Sequence, residues 1–339
     1  MKKILPLFIV CLLVSVSHIT RAKNTELQNV DSGIDSVIVV GWFNKLDTLD
    51  YWIYDTQWVV DSNRTIQTAN LSTNIRIEVT DSTAEGYTLQ STVVRTLCDT
   101  IPYSPSANAQ TVITQRICSR IEGHTTYFET DEFGKITKFN KNKTKKQIKS
   151  LLKEGLKDIA SDPEIAKISE SGIDVEGIKK SIDIDKLADS YIENISILFR
   201  RHGTIYPTGE TLEHKDGAPD DFDTDTYTYT EFDKEFGTYR ILNQTTFSVP
   251  ESITEAMYSI DGEGSYSDID PGYGTTGIIE LTYGSEYTPE GWPYNIIHKW
   301  SYIINYSGKI IDKHITLRYH SLKNNSPSPF RGYPVPAIY

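Results

Sequence analysis

IDKLADSYIENISILFRRHG, residues 184–203, decides the fold. Ile184, Leu187, Ala188, Tyr191, Ile192, Ile195, Leu198 and Phe199 recur at three- and four-residue spacing, so they line one side of an α-helix. Arg200, Arg201 and His202 precede Gly203 as a cationic last turn and a C-cap. A stripe this apolar has to be covered by other elements.

Upstream the same period holds. Ile148, Leu151, Leu152, Leu156 and Ile159 share a helical face opposite lysines. Asp162-Pro163-Glu164 then restarts the chain with an N-cap, a first-turn proline and an acid near the positive helix end, and Gly172 stops that piece. The helical stretch is too small to hold a core of its own, so its stripes are expected to lie on a sheet.

On both sides of it the period becomes two. Before the helices, Val37–Val40, Leu49–Val60, Asn74–Thr80, Gly86–Cys98 and Gln110–Arg120 read as strands, with Ile75, Ile77 and Val79 on one face. Asp61-Ser62-Asn63 and the run Asp81 to Gly86 supply turns. After the helices, Thr224–Phe232, Gly237–Val249, Gly277–Tyr283 and the long run Tyr294–Tyr319 alternate again. The expected class is α+β: a curved antiparallel sheet, half-barrel-like or made of two abutting sheets, covered by the central helices on its concave side. The order is a signal segment (1–22), a β block (23–140), helices (141–203), a second β block (204–322) and a proline-rich tail (323–339). Asp47-Thr48-Leu49-Asp50 is echoed by Glu210-Thr211-Leu212-Glu213, which fits either an internal duplication or chance.

Met1-Lys2-Lys3, the apolar run Ile4–Val16 and Thr20-Arg21-Ala22 read as a cleavable secretory signal with its cut between Ala22 and Lys23. The run is shorter than the ~20 residues of a membrane-spanning helix, so export to the periplasm or beyond, without a membrane span, is expected. Losing Lys2, Lys3 and Arg21 takes the formal charge from -12 to -15. An acidic surface disfavours nucleic acid and anionic lipid headgroups. Cys98 and Cys118 alone remain after Cys11 leaves, and as an even pair on neighbouring strands in an oxidising compartment they are expected to form a disulfide; two buried thiols are the alternative.

Catalytic signatures are missing. The mature histidines 124, 202, 214, 298, 314 and 320 are scattered, no nucleophile elbow or P-loop occurs, and Gly262-Glu263-Gly264 lacks the third glycine of a dinucleotide loop. No cofactor is expected. Asp221, Asp223 and Asp225 could offer oxygens to calcium, but Thr226 and Phe232 stand where an EF-hand needs glycine and glutamate, so a solvated acidic loop is the default.

The run Asp47-Thr48-Leu49-Asp50-Tyr51-Trp52-Ile53, with Val79-Thr80-Asp81-Ser82, Gly86-Tyr87 and Thr130-Asp131-Glu132-Phe133-Gly134-Lys135-Ile136, resembles the opening of a group of secreted Bacteroidota proteins of unknown function. That resemblance implies export and a strands–helices–strands order, and it implies no activity. The order also resembles, more loosely, that of periplasmic lipoprotein carriers, in which helices cover a curved sheet over an apolar cavity.

The leading expectation is a non-enzymatic binding protein that holds an apolar small molecule or lipid between the stripe and the sheet, contacted by Tyr191, Ile192, Ile195, Phe199, Trp52, Trp58 and Trp300. The alternative is an envelope interaction protein that binds glycan or protein through aromatic and Gly/Tyr/Asp-rich loops. A glycan hydrolase stands third and would need two carboxylates at catalytic separation.

Overall fold

The computed structural model describes residues 36–61, 65–98, 105–215, 222–249, 275–306 and 309–322. The signal segment with its cut at Ala22 and Lys23, and the tail after 322, lie outside the described residues. The first block contains β1 (Ser36–Ile38), β2 (Thr48–Asp61), β3 (Thr65–Thr83), β4 (Gly86–Cys98), α1 (Pro105–Cys118), β5 (Thr125–Asp131) and β6 (Ile136–Lys138). The helical segment contains α2 (Lys141–Asp158), α3 (Pro163–Glu170), α4 (Val175–Ser181) and α5 (Ile184–Leu198). There follow β7 (Ile205–Pro207), β8 (Gly209–Lys215), β9 (Asp223–Asp233), β10 (Thr238–Val249), β11 (Thr275–Tyr287), β12 (Pro293–Tyr306) and β13 (Lys309–Leu322).

All strands but β1 and β7, which pair with each other, form one 11-stranded antiparallel sheet in the order β6-β5-β4-β3-β2-β13-β12-β11-β10-β9-β8. The sheet is large, curved and open. Each block is a meander, and the first strand of one pairs with the last strand of the other, from Tyr51↔Leu322 to Asp61↔Asp312. The two blocks therefore share one sheet rather than forming two that abut. The echoed tetrapeptides occupy unlike places: Asp47-Thr48-Leu49-Asp50 leads into the central β2, whereas Glu210-Thr211-Leu212-Glu213 lies in the edge strand β8.

Alternation along the strands sets the faces. Tyr51 and Ile53 of β2, Ile75 and Ile77 of β3 and Leu89 and Val93 of β4 point to the helix side, where they form one core with Ile113, Ile117, Ile148, Leu152, Ile195 and Leu198. The helices start where their caps predict. Asn140, Asp162, Asp174 and Asp183 each accept a hydrogen bond from a first-turn backbone N–H of α2, α3, α4 and α5.

One expected strand is a helix. The run Gln110–Arg120 falls in α1 and the short 3₁₀ turn after it, because Ala109, Ile113 and Ile117 at four-residue spacing are all buried. The α1–α2 crossing is close at Gly155, where an added Cβ would come within 3.0 Å of the Ile117 backbone. Gln115 of α1 continues the pairing that β4 lacks, accepting from the Cys98 N–H and donating to the Thr96 carbonyl at 2.7 Å. The two-strand geometry behind the disulfide expectation therefore does not hold. Cys118 ends a helix rather than lying on a strand beside Cys98, and no disulfide joins the two.

Candidate functional site

The stripe of α5 lies on the sheet, and its two halves differ. At the C-terminal half the contact is closed: Ile195, Leu198 and Phe199 are fully buried or nearly so. The Phe199 ring lies 5.2 Å from that of Phe128 and 6.2 Å from that of Phe43, which stacks on Trp292 at 3.9 Å. His202 completes this aromatic cluster, with a ring nitrogen 2.9 Å from the Gly291 carbonyl. Burial lowers its pKa to about 4, so the ring is neutral and donates that bond.

Arg201 departs from its expected place in the last turn of the helix. The helix ends at Leu198, and the buried guanidinium reaches the sheet. It donates to Ser285 Oγ at 3.0 Å, to Asn243 Oδ1 at 2.7 Å and to the Tyr283 carbonyl at 3.0 Å, and it sits 4.7 Å from the Tyr283 ring centroid. Three oxygens and an aromatic face hold this cation, which staples the end of α5 to β10 and β11.

At the N-terminal half the seam between helix and sheet opens. Leu187, Ser190, Tyr191 and Asn194 of α5 face Leu71 and Thr73 of β3, Thr96 of β4, Cys118, Ile121 and Leu152 across a partly open cavity of about 20 Å³. That is room for one water-sized group. Asn194 is 2 % exposed, and its Oδ1 has no hydrogen-bond partner. An orphaned buried amide oxygen is costly, so the site is built to receive a donor.

No side chain lining the depression carries a formal charge. Burial raises the pKa values of both Tyr191 and Cys118, which keeps the phenol and the thiol neutral. Two carboxylates and one guanidinium bond to lining side chains. Thr96 donates its backbone N–H (2.8 Å) and its hydroxyl (3.0 Å) to the Glu122 carboxylate. Ser190 accepts from Arg318 at 2.9 Å, and Arg318 is itself bound to Asp55 at 2.5 Å.

Two histidines share the helix-facing side of β12 and β13 beneath α5. His298 is pushed to about 4 by burial and then by Arg318 and Arg200. His320 is 1 % exposed, and burial, then Arg318 and His298, hold it well below its usual value. The helix therefore rests on neutral imidazoles.

Of the residues expected to contact a ligand, Tyr191 lines the depression, and Ile192, Ile195 and Phe199 belong to the packed core. Trp52 points to the opposite face of the sheet, stacked on Tyr54 at 6.3 Å, and Tyr54 on Tyr319 at 6.2 Å. Trp300 packs against a separate cluster formed by Val249, Tyr302 and Ile304. The side chain of Trp58, like Asp221, lies outside the described residues. Asp225 pairs with His214 at 2.7 Å, and among the described residues no group of acids, histidines or cysteines, Asp223 included, is arranged to hold a metal ion. Sequence reading passed over Asn194, although an amide inside an apolar stripe was visible there. Thr73 and Thr96 carried no signal, since which strand threonines face a seam depends on register.

No family model and no curated protein matches the sequence. Among solved structures the chain is similar to a lipovitellin described for its lipid–protein interactions, at 9 % identity and a TM-score of 0.39 over 83 % of this chain. It spans only 25 % of that protein's length. An outer membrane channel from Pseudomonas putida F1 is similar at 9 % identity and a TM-score of 0.13, over 88 % of this chain and 100 % of that one. Among the described residues no helix is long and apolar enough to cross a membrane.

Proposed function

We propose that the chain is an exported, non-enzymatic binding protein for an apolar or amphiphilic ligand, and that the ligand enters the seam under the first half of α5. The observation that carries this reading is the break in packing there: Leu71, Ile121, Leu152 and Leu187 surround a space that the core leaves unfilled, with the unpartnered Asn194 oxygen among them. Pockets for small ligands combine such an apolar lining with a few placed polar groups. The space is small, so the ligand's buried part is small, and the rest runs outward past the leucines at the mouth.

The test is binding of N-phenyl-1-naphthylamine, an uncharged apolar fluorophore. Saturable fluorescence enhancement that Leu187→Trp abolishes at the mouth, with the fold intact by circular dichroism, is the expected result. No saturable binding, together with no molecule retained in native mass spectra of protein purified from its own cells, overturns the reading.

A further inference from the structure

We infer that the seam under α5 selects ligands whose buried end is an uncharged hydroxyl, such as a long-chain alcohol or another neutral hydroxylated lipid, and rejects the matching carboxylate. The inference rests on the binding function proposed above and adds the chemical class.

Three observations on the lining lead to it. First, the free space is about 20 Å³, which fits a hydroxyl and excludes a phosphate or a sugar ring. Second, the one unpartnered group there is the Asn194 amide oxygen, an acceptor that needs a donor. A hydroxyl donates to it and can still accept from a second lining group, whereas an ionised carboxylate has no proton to give. Third, the surroundings penalise an anion. No cation lines the space; the Arg318 charge beyond Ser190 is taken by Asp55, and Thr96 is bound to the Glu122 carboxylate. An anion entering here would lose its water without a counter-charge and would face the Glu122 carboxylate close behind the lining.

A buried water bonded to Asn194 accounts for the same cavity, so the experiment separates the two. Bound N-phenyl-1-naphthylamine is displaced by dodecan-1-ol or by dodecanoate at pH 8, using the wild-type protein and Asn194→Leu. The expected result is that the alcohol displaces the probe at a concentration at least tenfold lower than dodecanoate does. Asn194→Leu is expected to weaken dodecan-1-ol by several-fold to about tenfold relative to the probe affinity measured in the same variant, as loss of one neutral hydrogen bond predicts. If Asn194→Leu does not fold, Asn194→Asp serves instead, because a buried carboxylate should move the preference from dodecan-1-ol toward dodecylamine. Equal or better displacement by dodecanoate overturns the class while leaving the binding function standing. Unchanged alcohol affinity in the folded variant overturns it too, and marks the cavity as a water site. Failure of the probe to bind wild-type protein, together with no molecule retained in its native mass spectra, removes the binding function itself.

Discussion

Acidification should weaken this fold measurably through His202. The ring is fully buried among Phe43, Phe199 and Tyr287, donates to the Gly291 carbonyl, and has its pKa lowered to about 4 by that burial. In the unfolded chain an imidazole titrates near 6.5. The folded state holds the neutral form, so below about pH 6.5 the unfolded chain binds the proton more readily. Stability is fully present above that pH and is lost as the pH falls toward 4. Between those two pKa values the loss amounts to about 3 kcal/mol in all, of which about 2 kcal/mol is lost by pH 5. Since the group is fully buried, solvent screening does not reduce this figure. His298 and His320 titrate in the same direction, so the comparison must be differential. Urea unfolding of wild-type protein and His202→Gln at pH 7 and pH 5 isolates the contribution, because glutamine keeps a donor for Gly291 and cannot be protonated in this range. The wild type should lose about 2 kcal/mol more than the variant between the two pH values. Equal losses would refute the buried, neutral imidazole.

Other consequences are local. Gly155→Ala gains about 1 kcal/mol of helix propensity. Its new Cβ, however, meets the Ile117 backbone at 3.0 Å, and main chain cannot rotate away. The thermal midpoint should fall, and a rise would show that α1 and α2 are not in close contact at this point. Asp183→Ala removes the side chain that accepts from the Asp185 and Lys186 N–H groups and should cost about 1 kcal/mol in chemical denaturation. An unchanged midpoint would mean that the start of α5 is not held by its cap. Cys118 is buried and its thiol is pushed up by burial, so a thiol-specific reagent should modify it in urea and spare it in native protein, read by mass mapping. Rapid native modification would place it outside the core.

Sequence pattern reports burial, and it succeeds where burial is one-sided. The alternation of Ile75, Ile77 and Val79 was legible because one face of β3 meets the helices and the other carries Arg76 and Glu78. The stripe of α5 was legible for the same reason. The edge strand β8 was missed because all of its residues are exposed, so nothing in its sequence needs to alternate. Helix α1 was misread because the β-branched run Thr111-Val112-Ile113-Thr114 imitates a strand, while the cue to a helix, Ala109 with Ile113 and Ile117, begins with a small residue. The same error misplaced Cys118, which was expected on a strand neighbouring that of Cys98 and instead ends the helix. The pairing of β2 with β13 joins residues about 260 apart in sequence and leaves no local trace.

The site was half legible for a related reason. A hydrophobic stripe says that a helix is covered, and it does not say how completely. Completeness is decided by the opposing side chains, and here the sheet and its loops offer different partners to the two halves of α5. Phe43, Phe128 and Trp292 are large enough to close the seam around Phe199. Thr73 and Thr96 are smaller and leave a gap beside Tyr191 and Asn194. In a core of uniform purpose the first half would face a larger residue on the strands and carry an aliphatic one at 194. Filling the gap from the strand side with Thr73→Leu should then raise stability, because it adds apolar contact next to Leu152 and Leu187, and should abolish probe binding in the same protein. Increased stability with binding retained would mean that the opening under α5 is a packing defect with no ligand to receive.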